Sequence, residues 1–490
     1  MIQPVLLWFR HDLRLADNPA LEAAMASGAP IVPVFVWSPA DEGTWPLGAA
    51  SKAWLHLSLS ALDADLRARG SRLILLQGPS EKVLPRLAIE VHAQAVFANR
   101  RYEPAATLAE ERVGKALAAV GIPLRVGTGS LLFEPGSVRT KAGAPYQVFT
   151  PFWRACLTRW TLPVLSRAPK RLPSPKSLPN SIALSDLSLL PDRPWAKRMV
   201  SHWTPGEAGA QARLQTFCAE QLCGYTTGRD RPALAGVSRL SPHLHFGEIG
   251  PRQIWQSVMD RANAGSDGHG ESTAPEAFLR ELGWREFSHH VLFHFPHTDT
   301  SPLRARFADF PWARSPSHLR AWQQGRTGYP LVDAGMRELW ATGFMHNRVR
   351  MVAASFLVKH LLRPWQEGAR WFWDTLVDAD LAQNSLNWQW SAGCGADAAP
   401  YFRIFNPTSQ AAKFDPDGLY IRRWVPELAR LPTSLLFSPW TASAVDLRAA
   451  GITLGKTYPN PIVDHATARE RALAALASTR GSSTVPTQTL

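Results

Sequence analysis

Cysteine is scarce: four in 490 residues (Cys156, Cys218, Cys223 and Cys394), too few and too scattered for a disulfide framework. Cys218 and Cys223 have four residues between them, where a metal knuckle has two. The reading is reduced thiols in a cytoplasmic protein with no metal site. No run approaches ~20 apolar residues, which excludes a membrane-spanning helix. The start, MIQPVLLWFRHDLRL, has no basic segment before its apolar run and no small-residue cleavage site after it, so it reads as a first strand rather than a signal peptide. No G-x-G-x-x-G and no Walker sequence marks a nucleotide loop in the N-terminal part. Tyrosine is also scarce, at 7, which makes the 20 tryptophans the more conspicuous. Lys and Arg (53) outnumber Asp and Glu (40), for a net charge of +13. That balance favours a polyanionic partner, nucleic acid or an anionic membrane surface. So many indoles imply either heavy interface packing or a chemical use for the ring.

Residues 1–130 alternate strand and helix. Apolar runs at Val5–Phe9, Ile31–Val36, Arg72–Leu76 and Ala95–Ala98 read as strands. Ser51–Arg69, Glu81–Val91 and Thr107–Ala119 read as helices, the first with Trp54, Leu55, Leu59, Leu62 and Leu66 on one stripe. Asn18 suits an N-cap and Pro19 the first helical position. Such alternation implies a doubly wound parallel sheet. Residues 131–204 form a linker, with seven prolines between 161 and 194 that block regular structure and lay the chain over the surface. Residues 205–477 read as a larger all-helical domain, with helices at Ala274–Phe293, Pro330–Thr342, Asn347–Leu362 and Gln366–Val377. Residues 478–490 form a polar tail expected to be disordered.

The chemistry concentrates in the helical part. ELGWREF (Glu281–Phe287), the stretch Trp322–Leu362 and the stretch Trp371–Asp415 mix Arg, Trp, Asn and carboxylates within a few turns. Arginine with interleaved aromatics suits a nucleic-acid groove, guanidinium for phosphate and indole for exposed bases. Most single Trp residues read as helix packing and most Arg groups as solvated faces. The coincidence of Trp, Arg and Asn weakens both readings. In NSLNWQW, Trp388 and Trp390 point to different faces of a helix, so one indole can face inward and the other a cavity.

These blocks closely resemble the photolyase/cryptochrome family: WFRHDLRLADNPAL near the start, ELGWREF and GYPLVDAGMREL in the middle, DADLAQNSLNWQW and APYFRIFNP toward the end. The resemblance runs from about residue 4 to 475 and implies an α/β antenna-binding domain linked to a helical domain that holds FAD. It implies flavin contacts from Tyr225, Val237, Ser238, Arg239, Leu240, Ser241, Phe278, Glu281, Arg285, Asn347, Arg350, Asp378, Asp380 and Asn384. In that family pattern 237–241 holds the phosphates, Arg350 and Asp378 pair beside the ring system, and Asn384 faces flavin N5. Many relatives have Thr where Val237 stands, which removes one hydroxyl contact and leaves the backbone N–H. Glu281, Trp284, Asn347, Arg348, Met351 and Trp390 resemble the lesion pocket, with Trp284 and Trp390 stacking on a flipped dimer. Arg229, Trp284, Arg348, Trp390 and Arg403 are the implied DNA contacts. Trp388, Trp365 and Trp312 match the electron-transfer chain.

The implied activity is light-driven repair of cyclobutane pyrimidine dimers in DNA by electron transfer from excited, reduced FAD, in a monomer. Trp390 and Asn384 favour repair, since plant cryptochromes carry Tyr and Asp there. Met351 stands where (6–4) repair enzymes place a second His. The four cysteines do not resemble the ligand set of iron–sulfur members. Gly48–Leu66 resembles class III photolyases, which implies a 5,10-methenyltetrahydrofolate antenna. The Asn-Glu pair of other folate binders is replaced here by Ala105 and Ala106, which shifts the expected folate contacts toward Glu42 and Trp45. A deazaflavin antenna or no antenna are the alternatives. The competing functions are a cryptochrome-like blue-light photoreceptor and, more remotely, a DNA-binding module without photochemistry.

Overall fold

Strands β1 (Val5–Phe9) and β2 (Ile31–Trp37) are buried along their whole length. A parallel strand covered on both faces has no polar side, so its sequence is an unbroken apolar run. The period-2 alternation survives in which core each side chain enters. Val5, Leu7 and Phe9 join Leu21 of α1 (Pro19–Ala26) and Trp54, Leu59, Leu62 and Leu66 of α2 (Ala49–Arg67). Leu6 and Trp8 join Leu84 and Leu87 of α3 (Ser80–Glu90) and Val113 and Leu117 of α4 (Pro104–Ala118). With β3 (Ile74–Gln77), β4 (Val96–Asn99) and β5 (Leu124–Gly127), the strands form a parallel sheet of order β3-β2-β1-β4-β5. This is the doubly wound sheet expected from the sequence. Its fifth strand, LRVG, lies beyond the four that the sequence predicts, because none of its residues is fully buried and the apolar signal is correspondingly weak. Asn18 caps α1 by accepting from the Leu21 N–H, with Pro19 at the first helical position.

The computed structural model describes residues 2–161, 164–264, 273–398 and 402–479. Two compact units emerge. The first comprises Met1–Thr226, Val237–Pro296 and Val377–Ala382; the second comprises Thr227–Gly236, His297–Leu376 and Gln383–Leu490. In the first, the chain between residues 164 and 193 makes only a 3-10 turn at Leu184–Leu187. It is more than a surface strap: Leu172, Leu187 and Leu189 enter the core beside α2. The second unit is helical among its described residues, apart from an isolated bridge between Leu454 and Tyr458. Helices Pro330–Thr342 and Trp365–Thr375 lie where the periodicity placed them. The helix expected over Asn347–Leu362 is α-helical to Ser355 and turns π-helical over Phe356–His360. Of the polar tail, residues 480–490 lie outside the described residues.

Candidate functional site

In the first unit, residues 237–241 lead into the short helix Ser241–His245. Arg239 has φ +53°, in the left-handed region, and Leu240 follows at φ −87°, ψ −6°. Consecutive residues of opposite hand bring their N–H groups to one side and form an anion-accepting nest. A non-glycine residue at positive φ persists only where its surroundings hold it. Here Arg213 donates from Nε to the Ser238 carbonyl at 2.6 Å and from Nη2 to the Val237 carbonyl at 3.1 Å. Ser241 Oγ donates to Asp378 Oδ2 at 2.6 Å, joining the end of the loop to the segment 377–382.

Asp380, on the same segment, is buried 3.4 Å from His289 Nε2 of helix Thr273–His294. Burial pushes its carboxyl up, but the charges of His289 and Arg285 outweigh burial and hold it well below the usual carboxylate range. Burial likewise pushes His289 down, and the Asp380 carboxylate outweighs it and raises the imidazole. Arg285 is buried and donates to the Ser130 carbonyl at 2.8 Å, while its Nε has no hydrogen-bond partner. Next to it, Glu286 accepts from the N–H groups of Leu132 and Phe133 at 2.8 and 3.1 Å. Burial pushes the Glu286 carboxyl up to about 7 despite Arg285. Because the folded state holds this proton more tightly than the unfolded chain, stability falls as pH rises from about 4.5 to about 7. Glu286→Gln keeps an acceptor for both N–H groups and removes the titration. Its melting temperature should therefore vary less across that window, with a differential of up to about 3 kcal/mol. Parallel pH profiles for the two proteins would refute this.

Trp284, on the same helix, is half-buried, and one face is stacked on Phe149 at 3.8 Å and 9°. Arg280 sits 4.6 Å from the centre of the Phe149 ring. The plane of the indole is thus set before anything stacks on it. Tyr225 packs its ring edgewise on Phe278 at 5.3 Å, and Glu281 is half-buried.

In the second unit, Asn384 donates from Nδ2 to the Ala369 carbonyl at 3.0 Å, which fixes its amide plane. Trp388 is buried, edge-on to Phe372 at 5.0 Å and to Trp322 at 6.2 Å. Trp365 is buried as well, whereas Trp312 and Trp390 are half-buried. Arg348 donates from Nε to Asp230 at 2.6 Å and reaches Met351 Sδ at 3.7 Å, so its charge already has a carboxylate partner. Its neighbour in sequence to Asp230, Arg229, is half-buried. Arg350 donates to the Met345 carbonyl at 2.6 Å. Asn347 opens its helix on the exposed side, and Arg403 is also exposed.

A separate cleft of about 530 Å³, part of it open to solvent, lies in the first unit at the carboxyl ends of β1 and β2, where doubly wound sheets bind ligands. Trp8, Arg10, Trp37, Glu42, Arg101 and Ala106 line it. Glu42 clasps Arg101 with two bonds of 2.6 and 2.9 Å, and Glu103 adds a contact at 3.2 Å. Trp45, expected beside Glu42, is buried.

Comparison with known proteins gives this geometry a context. Residues 5–176 match the family described as DNA photolyase, and residues 278–478 match the FAD binding domain of DNA photolyase. A deoxyribodipyrimidine photo-lyase of Agrobacterium fabrum is 48% identical, over 97% of this chain and 98% of that protein. The chain belongs to the photolyase/cryptochrome family. The crystal structure of a bacterial class III photolyase from Agrobacterium tumefaciens shares the fold with a TM-score of 0.93 at 48% identity, covering 98% of each chain. Cryptochrome-1 of Arabidopsis thaliana is 40% identical, over 95% of this chain and 69% of its own length.

The family's flavin fits the residues found. The nest at Arg239–Leu240 suits a diphosphate, and the buried Arg285 Nε suits a polar acceptor. The sequence did not single out Arg213, His289 or Glu286. Arg213 and Glu286 act through backbone groups distant in the chain, which no local pattern announces. His289 had a weak signal: it lies eight positions after Glu281 on one helix, in register with the site face.

Proposed function

We propose that this chain is a light-driven DNA repair enzyme, a deoxyribodipyrimidine photolyase that splits cyclobutane pyrimidine dimers. The observation that carries the reading is the 48% identity across nearly the whole length of both this chain and a class III photolyase. Bound and reduced FAD would supply, on excitation, an electron that opens the cyclobutane ring and returns to the flavin once the ring has split. The chain's residues bind and position. Ser238, Arg239, Leu240 and Ser241 hold the diphosphate, with the Val237 backbone beside them. Tyr225, Phe278, Arg285, Arg350, Asp378, Asp380 and Asn384 set the ring system and the adenine side. Glu281, Asn347, Arg348 and Met351 line the lesion pocket, and Trp284 and Trp390 stack on the flipped dimer. Arg229 and Arg403 meet phosphates. Trp388, Trp365 and Trp312 pass an electron inward from the surface; Trp388 and Trp365 are both buried, and the half-buried Trp312 suits the outer end.

The antenna assigned to the cleft is 5,10-methenyltetrahydrofolate, since Trp8 and Trp37 offer rings there and Arg101 and Arg10, paired with Glu42 and Glu103 and with Glu110, would exchange a carboxylate partner for its glutamate. The decisive experiment incubates the purified protein, which gel filtration should show as a monomer, with a dimer-containing oligonucleotide in light and in darkness. Light-dependent loss of dimers is expected, with binding that weakens as salt rises. No such loss with reduced FAD bound would sink the repair reading. Mass spectrometry of the released chromophores should find a folate beside FAD; a deazaflavin, or FAD alone, would overturn the antenna assignment. The second reading, a blue-light photoreceptor, rests on the 40% identity to Cryptochrome-1. It predicts a stable photoreduced flavin and poor affinity for lesions.

A further inference from the structure

We propose that Trp203, which lies outside the assigned flavin contacts, is a positioning residue that presets the guanidinium of Arg239 for the FAD diphosphate. This rests on the flavin reading of residues 237–241. The Arg239 guanidinium lies over the Trp203 ring at 4.2 Å, within cation–π range. The backbone of Arg239 is left-handed, so its side chain leaves the loop in a direction that the ordinary conformation does not give. A long, rotamer-rich side chain on such a turn loses much entropy on docking to a phosphate unless something orders it first. Trp203 is suited to do so because its own ring is fixed.

That fixing can be traced inward. The Trp203 indole packs edge-on against Trp54 at 5.4 Å and 67°. Trp54 is fully buried on α2, stacks on Phe246 at 6.2 Å and 10°, and donates from Nε1 to Glu248 Oε1 at 3.0 Å. Glu248 is itself fully buried and bonds His243 through its other oxygen. His243 and Phe246 lie at the end of the helix that the loop opens, so the support returns to the same element. The loop therefore has two independent holds. Arg213 fixes its carbonyls, and the Trp54–Trp203 pair fixes its one long cation. The contact with Trp203 is made through the ring face, and a cation–π contact uses none of the guanidinium N–H groups.

The test is a double-mutant cycle read by FAD affinity, measured by flavin titration of apoprotein and independent of repair activity. Trp203→Leu should weaken FAD binding about tenfold, and Trp203→Phe, which keeps a smaller ring face, should recover most of it. In an Arg239→Ala background, Trp203→Leu should add no more than a further twofold loss, because its effect runs through the guanidinium. Apoprotein melting should be alike for Trp203→Leu and Trp203→Phe, which separates positioning from folding. Losses that multiply in the double variant would overturn the inference, as would unchanged affinity in Trp203→Leu. Unchanged affinity in Arg239→Ala would overturn the inference and leave the loop's backbone nest as the holder of the diphosphate.

Discussion

Asp380→Asn is expected to strip most of the flavin from the purified protein and to destabilise it by about 3–5 kcal/mol, the usual cost of removing one partner from a buried ion pair. The carboxylate is 6% exposed and faces His289 at 3.4 Å, with Arg285 adding to the local positive charge. Asparagine matches the shape and carries no charge, so His289 loses its counter-ion and Arg285 is left with Glu286. The effect has a definite pH dependence. A carboxyl held below its ordinary value stabilises the fold above that ordinary value, about 4, and loses this as pH falls through its folded value. An imidazole held above its ordinary value stabilises the fold fully below about 6.5 and loses this as pH rises through its folded value. The pair therefore contributes most between about pH 4 and 6.5. The gap in melting temperature between the wild type and Asp380→Asn should be widest there and shrink toward alkaline pH, where His289 is neutral in both. Equal melting temperatures and equal flavin absorbance at pH 6 would show that the pair carries neither stability nor cofactor.

What was legible in the sequence follows the range of the physics involved. β1, β2 and α1 were readable because their causes are local: a run of apolar residues, an Asn cap, a Pro at the first helical position. β5 was not, because an edge strand with half-exposed residues owes its place to pairing with β4 rather than to its own composition. The π-helical turn at Phe356–His360 was hidden for the opposite reason, since its five residues are all buried and continue a good helical pattern. In the site, Asp378, Asp380 and Asn384 could be marked through long matching blocks. Their supports were less legible: Ser241 was marked as a flavin contact but not as the partner of Asp378, and His289 reaches the 377–382 segment from more than 90 positions away. Trp203 shows the limit most plainly. In the sequence it is one of 15 tryptophans left to core packing, and only its distance to Arg239 separates it from them.

Gly368→Ala, a change of one methyl group, should damage the second unit more than most exposed charge reversals would. Its backbone is ordinary helix within Trp365–Thr375, so the requirement for glycine is one of space. An added Cβ would stand 2.1 Å from Cη2 and 2.4 Å from Cζ3 of Trp388, and 2.6 Å from Leu357 Cδ2. The indole cannot yield easily, because it is buried and edge-on to both Phe372 and Trp322. Overpacking of this kind costs about 3 kcal/mol at the upper end of its range, against a gain of about 1 kcal/mol from replacing a helical glycine. The net loss of about 2 kcal/mol should appear as a lower melting temperature. Displacing Trp388 should also slow light-driven flavin reduction, since electron transfer depends steeply on how the first ring is placed. A paired variant separates the two effects. Phenylalanine lacks the two ring atoms that the new methyl would strike, so Trp388→Phe should cost less stability in the Gly368→Ala background than in the wild type. Flavin reduction should be lost in both Trp388→Phe proteins. If Gly368→Ala melts and photoreduces like the wild type, then Trp388 is not held against that helix and its place at the head of the electron path fails with it.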